Sequence, residues 1–333
     1  MQLQEISDQY LWDAFIDAQE YGRPLQLWEW GELKRQNGWV PHRVALVRGS
    51  SMVAAAQVLV RPIPMTPRSI AYIPRGPVVA PSSQEAMELL TQIGNYFRGQ
   101  GAILLKMEPA WLTGDLPTNW RRARQTILLG ETYTIDLTKP EDQIVANMRS
   151  KTRQYIRKAQ TDNVEIKRDE KGEYLSTVYE IYQQTAKRAG FGLHSFSYYQ
   201  RLFELFGNRN YLFVARLNDQ PVAFLWLIVG GGSALELYGG VNAAGGEAKA
   251  NYLLKSRALT ELKAAGYKLY DFNGRLNEGV SQFKAGFGPD ETDYVGSYDW
   301  PLRKFSYWLW TGLLPAFKPV VRKFMGGRSD ETS

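Results

Sequence analysis

The sequence predicts a mixed α/β protein made of two tandem domains. Its 333 residues are more than one ordinary domain needs, and 44% of them are hydrophobic, which is enough for two cores. The two halves also repeat one order of predicted elements, namely a β-hairpin, a third strand, a helix and a closing strand. We therefore expect two α/β units, each with a mostly antiparallel sheet and one helix that crosses over to a later strand.

The first repeat follows two predicted N-terminal helices, the first of them with Ser7 as its expected N-cap. Alternating apolar residues on both sides of the Gly49-Ser50 turn indicate the hairpin. The expected elements are helices over 7–18 and 25–34, a hairpin over 43–60, a strand over 69–73, a helix that starts at Ser82 or Ser83 and runs to Phe97, and a strand over 102–109.

The second repeat has the same order around an Asn218-Asp219 turn. Its expected elements are a hairpin over 211–229, a strand over 234–238, a helix over 250–264 and a strand over 267–272. The strands that follow Gly101 and Gly266 occupy equivalent places in the two repeats. This correspondence across four elements indicates an internal duplication.

The repeats suggest where the domains begin and end. We expect a first domain over 1–138, which a strand over 126–137 leaves, and a second domain over 139–299. The segment 300–325 is expected to complete the first domain, and the polar residues 326–333 are expected to be disordered.

Composition excludes several kinds of site. The chain has no cysteine, so disulfides, thiolate nucleophiles and cysteine-ligated metals are impossible. Its two histidines, His42 and His194, are far apart in sequence, and we expect no metal site. The N-terminus lacks the pattern of a signal peptide, and the apolar runs are too short or too interrupted to span a bilayer, so we expect a cytoplasmic protein.

A basic segment stands between the repeats. Residues 147–158 contain five basic side chains and no acid. The spacing predicts one amphipathic helix, with Met148 and Tyr155 on its apolar side and Arg149, Arg153 and Arg157 in a stripe at i, i+4 and i+8. The stripe is either a solvated face or a docking edge for a polyanion.

A mostly antiparallel sheet with one crossing helix is typical of N-acetyltransferases, so the predicted fold is two tandem N-acetyltransferase-like (GNAT-like) domains. In such enzymes a glycine-rich turn between a strand and a helix binds the pyrophosphate of coenzyme A on backbone N–H groups. Residues 239–248 are glycine-rich and lie at that place, but Ala243 stands where Gln or Arg is usual. An acyl-CoA donor therefore stays an alternative.

Segments spread over nearly the whole chain resemble the Fem aminoacyltransferases, which are non-ribosomal peptidyl transferases that build peptidoglycan interpeptide bridges. They are Met148–Ala159, Gly266–Gly274 followed by Gln282–Gly288, and Gln26–Lys34. The fold of that family, two N-acetyltransferase-like domains, agrees with the duplication. The long coiled-coil arm of some members has no counterpart in this sequence.

The resemblance implies that an aminoacyl-tRNA is the donor and co-substrate, with no further cofactor. The implied acceptor is an amine on the stem peptide of a peptidoglycan precursor, either lipid II or UDP-MurNAc-pentapeptide. Lys284 matches the family lysine that stabilises the leaving oxygen or the adjacent phosphate, and Glu108 stands where the family usually has Asp at the cleft. Both are catalytic candidates, although a lysine near a turn and a carboxylate at a strand end also have ordinary structural explanations.

The resemblance also implies residues that bind the acceptor. Lys34 matches the lysine that contacts the precursor's diphosphate, and Trp30 belongs to the same segment. Lys34 is otherwise a solvated helix lysine.

A family substrate loop carries an Arg and, four residues later, a Tyr. Here Tyr198 fits the Tyr position, whereas His194 occupies the Arg position and Arg188 is a nearby substitute. Tyr238, at the end of a strand, is expected to line the same cleft unless it is a core residue.

The basic segment is assigned to the tRNA backbone, whose phosphates position a nucleic acid without reading its sequence. The expected tRNA-binding residues are Arg149, Lys151, Arg153, Arg157 and Lys158. The aromatic and basic residues of 302–314 either pack on the first domain or touch the inner membrane face. We expect a monomer, and a non-catalytic RNA-binding protein is the last alternative.

Overall fold

The computed structural model describes residues 1–275 and 278–313, which form two compact domains. The second domain spans Glu131–Thr292, and the first comprises Met1–Gly130 together with the described residues from Asp293 onward. The predicted disordered tail over 326–333, and the part of the predicted completing segment beyond residue 313, lie outside the described residues.

The first domain has the helices and strands that follow, in chain order. They are β1 (Gln2–Glu5), α1 (Gln9–Ala18), α2 (Trp28–Arg35), β2 (Val40–Arg48), β3 (Ser51–Pro62), β4 (Ser69–Arg75), α3 (Gln84–Gly99), β5 (Ala102–Pro109) and β6 (Arg121–Arg122), and then, from the C-terminal part, β14 (Tyr298–Pro301) and α11 (Lys304–Trp308). A 3₁₀ turn, Pro24–Gln26, precedes α2, and a π-helical turn, Leu309–Leu313, follows α11.

These strands form one sheet in the order β1-β2-β3-β4-β5-β14-β6. The pair β4 and β5 is parallel, because α3 crosses over between them, and the other pairs are antiparallel. The core lies between the sheet and α3, whose Leu90, Ile93 and Phe97 are buried against it.

The second domain contains the remaining elements. They are β7 (Glu131–Asp136), α4 (Glu141–Asn147), α5 (Ser150–Thr161), β8 (Glu165–Arg168), α6 (Leu175–Ala189), α7 (Phe196–Phe206), β9 (Asn210–Leu217), β10 (Gln220–Gly230), β11 (Ser233–Val241), α8 (Ala243–Glu247), α9 (Ala250–Ala264), β12 (Leu269–Asp271), α10 (Glu278–Ala285) and β13 (Asp290–Asp293). Its sheet has the order β13-β7-β12-β11-β10-β9-β8.

Read from the opposite edge, this second sheet repeats the first. In both sheets a hairpin is followed by a strand that pairs in parallel with the strand after the crossover helix, which is α3 in one domain and α9 in the other. The antiparallel neighbour of that last strand is β14 in the first domain and β7 in the second. Two mixed α/β domains of one topology are therefore present.

The expected domain boundary at 138/139 is corrected, because β7 belongs to the second domain. Residues 126–137 were predicted to leave the first domain, yet Leu269 of β12 pairs with Asp136 of β7. Tyr133 and Ile135 point into the second core, and this burial draws the strand into the second sheet. The boundary between the two domains in the sequence is therefore at 130/131.

The basic segment 147–158 is not one continuous helix, because α4 ends at Asn147 and α5 begins at Ser150. Met148 has extended backbone angles, with φ −66° and ψ 143°, and Arg149 is the N-cap of α5. The amide of Arg149 donates to the carbonyl of Gly286 at 2.9 Å, so the break follows from a contact distant in sequence. The Arg153 guanidinium donates to the carbonyls of Ala146 (3.1 Å) and Met148, which satisfies the C-terminal end of α4.

The N-cap of the first helix lies one residue later than expected. Asp8, and not Ser7, is the N-cap of α1, and its Oδ1 accepts the amide of Leu11 at 3.0 Å. The helix predicted over 25–34 starts at Trp28, because Gln26 turns inward to bond the backbone of Gln57.

Candidate active site

Lys284 lies on α10 with only 5% of its surface exposed. Its ammonium donates to the carbonyls of Phe272 (2.8 Å) and Gly274 (2.9 Å), just after β12. An ammonium has three N–H donors, so these bonds leave one for a further acceptor, and none lies among the described residues. Burial lowers the pKa of Lys284, whereas the charges of Glu236 and Asp271 act in the opposite direction.

The turn that accepts Lys284 is itself held by hydrogen bonds. Asp271 Oδ1 accepts the hydroxyl of Thr132 at 2.7 Å and the amide of Asn273 at 2.8 Å. The Thr132 hydroxyl oxygen in turn accepts the amide of Gly274 at 2.8 Å. Gly274 has φ 104°, a conformation that favours glycine. Asp271 therefore shapes the backbone on which Lys284 rests.

A buried ion pair lies close to this lysine. Lys255, on α9, is 2% exposed and its ammonium pairs with Glu236 on β11. Glu236 also accepts the hydroxyl of Tyr270 at 2.6 Å. Burial alone would raise the pKa of Glu236, but the ammonium groups of Lys255 and Lys284 hold it below its usual value. One carboxylate thus serves two buried ammonium groups.

Aromatic rings surround the Lys255 ammonium. It lies 4.4 Å from the ring centroid of Phe272 and 5.3 Å from that of Phe283. Burial lowers the pKa of Lys255 to about 8. The sequence analysis missed this residue. Its signal was a lysine on the apolar side of α9, four residues before Leu259 and seven before Leu262.

Three predicted acceptor-binding residues meet in one aromatic cluster. The rings of His194 and Tyr198 stack with centroids 4.0 Å apart. Tyr198 also hydrogen-bonds Tyr238, whose ring lies 5.2 Å from that of Tyr199. Burial raises the pKa of Tyr238 well above its usual value, so its phenol stays neutral near pH 7. Arg188 is exposed, and its guanidinium donates to the carbonyl of Val241 at 3.2 Å.

The strand β11 carries both groups of side chains. Glu236 pairs across from Leu227 and Tyr238 from Trp226, so Leu237 is the extra residue of a β-bulge. The bulge re-aims the strand between the ion pair and the aromatic cluster. Because Trp226 and Leu227 are consecutive and point to opposite faces of the sheet, the ion pair and the aromatic cluster lie on opposite faces of β11.

Two predicted site residues lie in the first domain on α2. The Lys34 ammonium stands 4.2 Å from the ring centroid of Trp30, a cation–π contact. Trp30 is buried, and its indole N–H meets no acceptor among the described residues.

Glu108 makes the contacts expected of a strand-end carboxylate, which is the structural alternative to its catalytic role. It is buried at the end of β5, and its oxygens accept the amides of Ile127 (2.6 Å) and Leu128 (2.9 Å) and the hydroxyl of Tyr72 (2.5 Å). These bonds fasten the segment that leads to residue 130. The structure therefore gives Glu108 the strand-end role, because its oxygens are already engaged.

Some of the predicted tRNA-binding residues are exposed, and others already bond within the fold. Arg149, Lys151 and Arg157 are exposed, Arg153 is occupied at the end of α4, and Lys158 pairs with Asp162. Sequence reasoning missed one further cation. Lys249 and Lys151 lie 5.2 and 5.6 Å from the ring of Tyr155, so the N-cap of α9 adds a charge near the start of α5.

The part of the chain that the structure describes contains neither a metal-binding cluster nor a membrane-spanning helix. Within 1–275 and 278–313, no group of three or more acidic or histidine side chains is placed to hold a metal ion. No helix in the same ranges is long and apolar enough to cross a bilayer.

The repeated topology and the buried polar site of the second domain define a tandem GNAT-like protein. A solved tandem GNAT protein from the clavulanic acid biosynthesis pathway superposes with a TM-score of 0.51 at 12% identity, covering 90% of this chain and 98% of that one. The crystal structure of FemX superposes with a TM-score of 0.84 at 20% identity, covering 93% of this chain and 99% of that one.

The sequence matches the FemAB family model over residues 8–125, 119–221 and 218–313, and the chain belongs to the FemAB family. The lipid II:glycine glycyltransferase of Staphylococcus aureus is 25% identical over 214 residues, which are 58% of this chain and 49% of that protein. The match thus spans about half the length of this curated relative.

Proposed function

We propose that this protein transfers an amino acid from aminoacyl-tRNA to an amine on the stem peptide of a lipid-linked peptidoglycan precursor. Membership of the FemAB family supports the class of reaction, and the name of the Staphylococcus aureus relative supports a lipid-linked acceptor. We place the reaction in the cytoplasm, where charged tRNA is available, and we expect the protein to act as a monomer.

The observation that carries the proposal is the buried ammonium of Lys284. Attack of the acceptor amine on the ester carbonyl forms the new C–N bond and breaks the C–O bond to the ribose 3′ oxygen. The amine loses a proton and the departing oxygen gains one, so the step balances without a covalent enzyme intermediate. Negative charge develops on the carbonyl and leaving oxygens, and a fixed ammonium in a dry site is suited to stabilise it.

The fixed geometry of Lys284 matters for this role. Two backbone carbonyls hold the ammonium, at 2.8 and 2.9 Å, and these donors need no rearrangement during the reaction. The Asp271 and Thr132 bonds keep the accepting turn in place. We assign the stabilising N–H to the third donor of Lys284.

We assign acceptor binding to the aromatic cluster of the second domain. Tyr198 and Tyr238 offer hydroxyl groups and flat faces to a peptide, and His194 stacks on Tyr198. We give Lys34 of the first domain, with Trp30 beneath it, the diphosphate of the precursor.

We assign the tRNA backbone to the exposed cations at the start of α5. Arg149 and Lys151 are exposed there, and the half-buried Lys249, the N-cap of α9, lies beside them. Arg153 and Glu108 take no part, since their polar atoms bond within the fold.

The acyl-CoA alternative gains no support from the glycine-rich segment. A Cβ on Gly245 would lie 2.5 Å from the carbonyl oxygen of Val222, so close packing accounts for this glycine. Its amide donates to Asn242 Oδ1 at 2.9 Å and is not available to a pyrophosphate. The helix that follows, α8, has only five residues.

The test combines a transfer assay with one substitution and its matched control. The protein is incubated with a pool of charged tRNA and with purified lipid II or nucleotide precursor, and in parallel with acetyl-CoA. Lys284→Met should lower kcat by about 10²- to 10³-fold with little change in KM. Lys263→Met removes an ammonium that also bonds two carbonyls, of Leu137 and Lys139, and should keep nearly full turnover.

Three outcomes contradict the proposal in different ways. Full turnover by Lys284→Met would remove this lysine from the reaction. Consumption of acetyl-CoA alone would replace the donor. Tight tRNA binding without transfer to either precursor would favour a non-catalytic RNA-binding protein.

A further inference from the structure

The short helix α11 has one buried side and one exposed apolar side. Tyr307 is buried against Ile103 and Leu104 of β5. Phe305, Trp308 and Leu309 are 76%, 56% and 41% exposed, and we name these three residues the α11 face. The segment thus packs on the first domain and still presents large apolar side chains to the surroundings.

The α11 face is one continuous patch. The rings of Phe305 and Trp308 lie with centroids 6.5 Å apart, and Leu309 follows directly in the chain. Scattered single apolar side chains are normal on a protein surface, whereas clusters of them mark places that meet an apolar partner. Trp and Phe beside basic residues are typical of segments that lie in the headgroup region of a bilayer.

Positive charge surrounds this patch. Four cationic residues form what we name the basic rim: Arg98, Arg121, Arg303 and Lys304. Arg303 donates to the carbonyl of Arg98 at 3.3 Å, and the Arg121 guanidinium lies 4.2 Å from the ring of Tyr307. The rim therefore adjoins the same helix.

The carboxylate that contacts α11 belongs to Asp299, and it does not neutralise the positive charge at the surface. Asp299 is buried, accepts the hydroxyl of Tyr307 at 2.9 Å and pairs with the Lys106 ammonium at 2.8 Å. The charge that faces outward around the patch is consequently positive, and it complements an anionic surface.

We propose that the α11 face and its basic rim bind the surface of an anionic lipid bilayer. A second copy of the chain would bring two positive rims together, which is unfavourable. An acidic partner protein would pair with the rim but would not explain the exposed aromatic side chains. The sequence just after residue 313 continues the same chemistry, with Phe317, Phe324, Lys318 and Arg322. This inference does not depend on the proposed function, although it would place the enzyme beside a lipid-linked acceptor.

The experiment measures co-sedimentation of the full chain with vesicles. One set is phosphatidylcholine alone and the other contains about one third phosphatidylglycerol, each at low and at high salt. We expect binding to the anionic vesicles, weakened by salt. The double substitution Phe305→Ser with Trp308→Ser should lower the partition coefficient by about tenfold or more. Arg303→Gln with Lys304→Gln should reduce the preference for anionic vesicles and the response to salt.

The matched control uses another exposed aromatic and leucine pair of the same domain. Tyr10 and Leu11 on α1 are exposed, but they stand next to Asp8 and near Asp13 and Asp17. Tyr10→Ser with Leu11→Ser should leave vesicle binding unchanged. Circular dichroism and thermal unfolding show whether each variant is folded, and exposed positions are expected to tolerate the change.

Several results would overturn the inference. The wild type could fail to sediment with anionic vesicles at low salt, or the Phe305 and Trp308 variant could bind as the wild type does. An equal loss in the Tyr10 and Leu11 control would show that apolar exposure alone is responsible. A dimer in sedimentation velocity that the α11 substitutions dissolve would assign the face to a second copy. Competition of tRNA for the same variant-sensitive site would assign it to RNA.

Discussion

At the scale of single residues, Glu236 is the buried carboxylate that interacts with both buried lysines of the second domain. Its carboxylate meets the Lys255 ammonium and the Tyr270 hydroxyl, and it also acts on Lys284 through charge. Removing charges from water is costly, so such a group is retained only where it has a partner. The arrangement makes Glu236 the ion-pair partner of Lys255, and its negative charge also favours the charged form of Lys284.

Loss of this carboxylate should appear as a change in the pH dependence of stability. Because the folded-state pKa of Glu236 lies below its usual value of 4.5, its stabilisation is present above that value and is lost as pH falls through the lower one. Glu236→Gln should cost about 3–5 kcal/mol near pH 7, since Lys255 stays buried without its counter-charge. The difference from wild type, measured by chemical denaturation, should shrink towards pH 3.

The control for this prediction is a carboxylate in an ordinary surface pair. Glu261 accepts the Arg257 guanidinium one helical turn away at 2.8 Å, and its loss should cost under about 1 kcal/mol. A difference between wild type and Glu236→Gln that stays constant over the acidic range would show that Glu236 does not titrate as an ion-paired group.

Residues were predictable where a local pattern carried them. Lys284 was named because its own stretch of sequence resembles a family signature. His194, Tyr198 and Tyr238 lie in one cluster, and their role in binding the acceptor stays a prediction. Lys255 was not predicted, because its partner Glu236 is on a strand and the rings around it, Phe272 and Phe283, come from two further segments. Contacts between distant parts of the chain leave almost no local signal.

At the scale of elements, the break between α4 and α5 distinguishes a cation that bonds within the fold from cations that stay exposed. Without it, Arg153 would lie in one stripe with Arg149 and Arg157. With it, Arg153 closes the end of α4, and the start of α5 keeps Arg149 and Lys151 exposed beside Lys249. The surface available to a polyanion is therefore smaller than the sequence predicted, and it includes the N-cap of α9.

Neutralising this surface should weaken use of charged tRNA in a salt-dependent way. In the triple variant Arg149→Gln, Lys151→Gln and Lys249→Gln, the slope of log K for tRNA against log salt should fall by about 2, because each lost phosphate contact removes slightly less than one unit. Binding of the precursor should be unchanged. Filter binding at several salt concentrations measures the slope.

A triple variant with the same change of charge tests whether position matters. Lys171, Arg201 and Lys268 are exposed elsewhere in the second domain. Their replacement by Gln should change the slope much less. Equal effects in the two triple variants would mean that net charge, and not the start of α5, governs tRNA binding. Loss of precursor affinity in the first variant would assign α5 to the acceptor.

The break itself was outside the reach of sequence reasoning. No proline or glycine interrupts residues 141–161, and the apolar spacing continues through Met148. The break depends on the carbonyl of Gly286, which accepts the amide of Arg149, and on the packing of Gly286 against Thr152. The apolar pattern predicted a helix here, but it did not predict the break between α4 and α5.

At the scale of the whole molecule, one topology is built twice from different pieces of chain. The strand beside β5 comes from the C-terminal part of the chain, and the strand beside β12 precedes its own domain's helices. The duplication was visible because each hairpin, helix and closing strand is contiguous. The boundary was not, because β7 finds its partner β12 only in the folded sheet.

The strand β14 should therefore govern the stability of the first domain alone. Trp300 is buried in the first core, and it packs so closely on α3 that a Cβ on Gly94 would lie 1.9 Å from its ring. Trp300→Ala should destabilise this domain by about 3–5 kcal/mol through the cavity it leaves. Hydrogen exchange should quicken for the amides of β4 and β5 and stay unchanged for those of β10 and β11. Phe213→Ala, which empties an equally buried site on β9, should give the reverse pattern. If either substitution speeds exchange in both sheets, the two domains unfold as one cooperative unit and the separation does not extend to stability.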